Sequence, residues 1–134
     1  MGQQQLLLII LGVIIVGIAV VIGITMFKDN AISANRDSVT NDLVNLGARA
    51  HQFYRRPVAL GGGGSSFAGL TMDKLARPAT GNQWVNEDGT FEILGTPSST
   101  EVTLKGVGVQ KNDGTVVEVH CRATSDSLMT TVIH

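Results

Sequence analysis

The chain has one cysteine, Cys121, three prolines and six aromatic side chains among its 134 residues. A single cysteine excludes an intrachain disulfide and a four-thiolate zinc site, and it leaves the redox compartment open. The first proline is Pro57, so 56 residues run without a helix breaker. Sixteen glycines beside so little proline do not describe a Pro-rich disordered chain. The aromatics (Phe27, Phe53, Tyr54, Phe67, Trp84 and Phe91) are too few for a continuous stacked path. Charge is missing from one place altogether. None of the 10 Lys and Arg or 11 Asp and Glu falls within residues 1–27. A net charge of −1 supplies no basic stripe, so nucleic acid is not an expected partner. The length suits one small domain with an appendage.

What fills the uncharged stretch is a run of aliphatic residues. Leu6 to Phe27 reads LLLIILGVIIVGIAVVIGITMF, with Thr25 as its one polar side chain. About 20 helical residues span a hydrocarbon core of ~30 Å, and a helix alone satisfies the backbone there. A cleaved signal peptide needs a basic flank and a shorter run, whereas Met1-Gly2-Gln3-Gln4-Gln5 carries no Lys or Arg. Leu6 replaces the Ser or Thr that N-myristoylation wants. Lys28 beside Asp29 gives the positive-inside rule almost nothing to count.

The helical pattern does not stop at Phe27. Ile32, Val39, Leu43, Leu46, Ala50 and Phe53 recur at spacings of seven, three and four, which is one apolar seam of an amphipathic helix. Asn35, Arg36, Asn41, Asp42, Arg49 and Arg56 are expected on the opposite face. Pro57 disfavours helix at Arg56. The spacing therefore predicts one helix over about 3–55, roughly 80 Å long. Val39, Leu43, Leu46, Ala50 and Phe53 are its expected packing residues. Its first half has no stripe to present to a domain and needs lipid or copies of itself.

Gly61-Gly62-Gly63-Gly64-Ser65-Ser66 lacks the Lys-Ser/Thr ending and the preceding strand of a phosphate-binding loop. It reads as a flexible connector. A short helical turn is expected within 67–78, with Thr71 as N-cap and Asp73 in its first turn. Asp88-Gly89 and Asp113-Gly114 each lie between apolar runs and mark hairpins. Strands are expected near 82–86, 90–94, 101–110, 115–123 and 127–133. Val117, Val119 and Cys121 alternate with Glu118, His120 and Arg122, so one sheet face is expected to be buried. The expected fold class is α+β: a long N-terminal helix packed on a small antiparallel sheet. It divides into an apolar half-helix at 1–27, an amphipathic half-helix at 28–56, a Gly-rich connecting loop at 57–81 and a sheet domain at 82–134.

Chemistry has few candidates. His51, His120, Cys121 and His134 form no ligand pair at metal spacing. The turns at Asp88 and Asp113 lack the alternating oxygens of a calcium loop. No nucleophile and base stand in a recognisable pattern, so the expectation is a non-enzyme with no cofactor and no metal. Ser and Thr at 98–100 and 124–127 are candidate glycosylation positions.

This architecture resembles type IV pilins and the related pseudopilins. At sequence level the resemblance is confined to about the first 25 residues. The family begins with a hydrophobic residue and carries Glu-Leu at positions five and six; here Met1 leads to Gln5-Leu6-Leu7. Gly2-Gln3 is a candidate leader-peptidase site, but Met1 as the first residue of the assembled chain gives the better alignment. Gln5 is neutral where the family has its glutamate, no proline interrupts the span, and the family's disulfide loop is missing. The resemblance implies a cytoplasmic-membrane protein with its N-terminus inside, then an extracellular filament subunit built with pilus assembly machinery. Met1, Gln5, Leu6, Gly12, Gly17, Ala19 and Gly23 are the expected helix-bundle residues; the small ones permit close helix approach. A pseudopilin-like secretion component and a single-pass anchored binding module are the alternatives.

Overall fold

The structure is a computed structural model and describes residues 2–112 and 114–133. Helix α1 runs unbroken from Gly2 to Arg55, about 80 Å at 1.5 Å per residue. A 3-10 turn at Val58–Leu60 and a one-turn helix α2 at Met72–Leu75 follow. Five strands complete the chain: β1 Gln83–Val85, β2 Gly89–Leu94, β3 Glu101–Asn112, β4 Thr115–Thr124 and β5 Leu128–Val132. They form one antiparallel meander in the order β1-β2-β3-β4-β5. The expected α+β arrangement is therefore present, with every strand within a few residues of its expected place.

The alternation in the strands decides which face turns to the helix. Phe91, Ile93, Val102, Leu104, Val117, Val119, Cys121 and Ala123 are buried, and they meet Val39, Leu43, Leu46, Ala50 and Phe53 of α1. All five expected packing residues are in the core, as is Ile32. The opposite sheet face carries the ion pairs Lys105–Glu92, at 3.5 Å, and Arg122–Glu101, and a His120–Glu118 hydrogen bond at 2.7 Å. Phe67, Leu70, Met72 and Leu75, from the connecting segment, close the core beside Phe53.

Close contact between helix and sheet depends on missing side chains. A Cβ on Gly106 of β3 would stand 2.7 Å from Val39 Cγ1 and 3.0 Å from Phe91 Cε1. A Cβ on Gly47 of α1 would collide with Leu128 at the start of β5. Gly47 is buried with the seam, an addition to the six expected positions.

Two expectations need correction. The Gly-rich segment is a connection but not a slack one. Gly63 N–H donates to Phe53 O at 2.8 Å, Gly64 N–H to Arg56 O at 3.0 Å, and Ser65 N–H to Tyr54 O at 2.7 Å. These bonds satisfy carbonyls that the end of α1 would otherwise leave open. Gly61 and Gly64 supply the positive φ values, +82° and +58°. The second correction concerns the polar face of α1. Asn35, Arg36 and Asp42 flank the seam instead of lying opposite it, and all three are half-buried. Asn35 Nδ2 donates to Asp88 O at 2.9 Å, and Asn35 Oδ1 accepts from Gln110 N–H at 3.2 Å. After Leu70 the helical turn forms as expected with Thr71 at its N-cap position, where its side chain makes no capping bond.

Candidate functional site

The two halves of α1 meet opposite fates. From Ile32 onward the seam is covered by the sheet. From Gly2 to Asn30 every residue is exposed. The large apolar side chains between Leu6 and Phe27 are 53–77% exposed, with Leu11, Ile14 and Ile22 at the low end and Phe27 at the high end. Normal soluble surfaces do not carry a contiguous apolar area of this kind. Burying one such side chain contributes roughly 1.5–3 kcal/mol, so an uncovered run is strongly driven to lipid or protein. By length and composition this helix can cross a membrane. Thr25 Oγ1 donates to Val21 O at 2.9 Å, which satisfies the one polar side chain in the run.

Helical spacing sorts the expected bundle residues. Gln5, Gly12 and Ala19 recur every seven positions, and Gly23 follows four later, so these four share one face. Gly23 and Ile32 are nine residues apart, two and a half turns, which places them on opposite sides of α1. The small-residue face thus points away from the sheet. Gly17 is fifteen residues before Ile32, just over four turns, and so lies on the side of the seam. Leu6 is eleven residues before Gly17, about three turns, and shares its side. Gly12, Gly17 and Gly23 all have open space where a Cβ would stand. Met1 lies outside the described residues.

Several polar groups of the sheet and the second half of α1 bond internally. His51 Nε2 lies 2.8 Å from Thr124 O and 3.2 Å from Ser127 O, tying α1 to the turn before β5. His120 is paired with Glu118. Cys121 is fully buried, and burial pushes its thiol up to about 11. His134 lies outside the described residues, as does Asp113 in the second hairpin turn. Among the described residues no group of three His, Cys, Asp or Glu is placed to hold a metal ion. At the first hairpin, Asn86 Oδ1 accepts from the N–H groups of Asp88 and Gly89 at 2.9 and 3.0 Å. Asn86 Nδ2 donates to Asp42 Oδ2 at 2.9 Å. The Asp88 carboxyl is raised above its ordinary value, first by its hydrogen bond with Asp42, then by desolvation and by the charges of Asp42 and Glu87.

Sequence reading did not anticipate a cleft of about 540 Å³ between the end of α1 and α2. Arg49, Arg56, Lys74 and Arg77 line it with Asp73. No protein family, characterised protein or solved structure matches this chain in comparison.

Proposed function

We propose that this protein is the structural subunit of a type IV pilus-like filament, polymerising through its N-terminal half-helix. The observation that carries the reading is the exposure of every residue from Gly2 to Asn30 on a helix whose continuation is packed against its own domain. Among the described residues nothing covers the apolar half. Lipid covers it before assembly, and identical helices cover it afterwards. The orientation of the small-residue face supports this. Helices that approach through Gln5, Gly12, Ala19 and Gly23 carry their sheets on the outside. One contact repeated about a screw axis does not close, and it gives an open filament. In this reading the polymer is extracellular and the cytoplasmic membrane holds the unassembled pool.

The test is to shear surface appendages from cells that express the chain, image them, and sequence the main protein band. The expected result is a thin filament made mainly of this chain. Recovery only as a monomer in washed membranes overturns the reading. Exchanging residues 1–27 for an unrelated transmembrane helix separates a bundle from a tether. Assembly is lost if the helix forms the core, and function persists if it only anchors the head.

A further inference from the structure

Cations of the head gather in one cleft away from the sheet. Among the described residues the Lys and Arg ion pairs are those of Lys105 and Arg122, both on the outer sheet face. The cleft between α1 and α2 is lined by four cations (Arg49, Arg56, Lys74 and Arg77) and by one carboxylate, that of Asp73. This gathering occurs in a chain whose net charge is −1.

Compensation of the helix dipole explains only part of it. Cations in the last turns of α1 are favourable near its carbonyl end. Lys74 and Arg77 come from a different element, so the dipole of α1 does not account for them. The protein also holds several of these groups in place. Arg49 Nη1 donates to Leu75 O at 2.7 Å, Lys74 Nζ donates to Gly69 O at 3.2 Å, and Arg77 Nε donates to Asp73 O at 3.4 Å. The Lys74 ammonium also lies 5.0 Å from the centroid of the Phe53 ring. Each guanidinium keeps further N–H donors beyond these bonds. Positioned guanidinium groups in a concave site are suited to bidentate contacts with oxyanions. Several cations against one carboxylate favour a multiply charged phosphate over a single carboxylate.

We propose that this cleft binds a small phosphate-bearing ligand. Its volume, about 540 Å³, is that of a small-molecule site. The ligand is not a headgroup of the bilayer around the chain's own helix. Arg49 lies 22 residues beyond Phe27, roughly 33 Å along α1. The site belongs to a single head and does not depend on filament formation.

The probe is inorganic pyrophosphate, titrated by calorimetry into the full chain in non-ionic detergent micelles. One saturable site per chain is expected, weakening as salt is added. Arg56→Gln with Arg77→Gln should raise Kd at least about tenfold. Lys105→Gln, which removes a paired cation from the sheet, should leave it unchanged. Pyrophosphate should also protect Arg56 and Arg77 of the wild-type chain from phenylglyoxal, read by peptide mass mapping. That arm needs no variant to fold. Absence of saturable binding, equal loss in Lys105→Gln, or unprotected arginines overturns the proposal.

Discussion

Replacing Gly106 by alanine puts a methyl group where the sheet and α1 come closest. The new carbon would stand 2.7 Å from Val39 Cγ1 and 3.0 Å from Phe91 Cε1, both in fully buried side chains. Overpacking of this kind costs about 1–3 kcal/mol. Val39→Ala removes two buried carbons at ~0.8 kcal/mol each and leaves a cavity, so about 2–3 kcal/mol is expected. In the double variant the alanine methyl enters the space that Val39 vacates. The pair should then be less destabilised than the sum of the singles by about 1–2 kcal/mol. Urea unfolding of the full chain in micelles measures all four corners of the cycle. Trp84, the one tryptophan, is the reporter; its ring lies 5.3 Å from that of Phe91. Additivity within about 0.5 kcal/mol refutes the account, because it places the strain of Gly106→Ala somewhere other than Val39.

Gly63→Ala should destabilise the head, since its Cβ would collide with Ser66 O and approach Phe53 Cε1 to 2.8 Å; a loss of about 1–3 kcal/mol in the same unfolding assay is expected, and tolerance would return the segment to a mere linker. Cys121 should resist maleimide at pH 8 until the head is unfolded, because its thiol is buried. Its folded value of about 11 lies above the ordinary 9.0, so the unfolded state releases the proton first. Stability should therefore fall as pH rises from about 9 to about 11, and Cys121→Ala should remove that component of the pH dependence. Gly23→Leu should reduce filament yield, counted in electron micrographs, more than Gly17→Leu, with membrane insertion unchanged in both. One alanine inserted after Asn30 turns the head by about 100° about α1 and should abolish filaments, whereas seven inserted residues restore the face and much of the yield.

The elements were legible because their signals are local. Ile32 to Phe53 repeat with the period of a helix, and Pro57 marks its end whatever the tertiary structure. Val117, Val119 and Cys121 alternate with polar neighbours, which is the period of a strand with one buried face. What escaped sequence reading arises from pairings between distant positions. Gly47 falls within the expected helix and Gly106 and Gly108 within an expected strand, and nothing near them in the chain shows that Leu128, Val39 and Asn35 stand where their side chains would be. The Gly61–Gly64 run has the composition of a linker, and only the carbonyls left by α1 turn it into a hydrogen-bonded cap. The cleft cations are spread from Arg49 to Arg77, and no short motif announces that α2 brings Lys74 and Arg77 back to α1. Asn35, Arg36 and Asp42 read as a solvated face because polarity alone does not separate a flank from the back of a helix.

The continuity of α1 makes the two halves mechanically one. A break near Phe27 would let the head rotate independently of the apolar half, and the two faces would have no fixed relation. No proline lies in α1, and the helix passes through residues 24–31 without interruption. Docking of the sheet on Ile32 to Phe53 therefore also sets which way Gln5, Gly12, Ala19 and Gly23 point. Core packing in the head, a local matter of Val39 against Gly106, becomes an instruction about orientation about 25–50 Å away along the helix. In a filament of the proposed kind that link would give the head a role in polymerisation even with few contacts of its own. It would orient the apolar half so that the smallest side chains face inward and the sheet faces out.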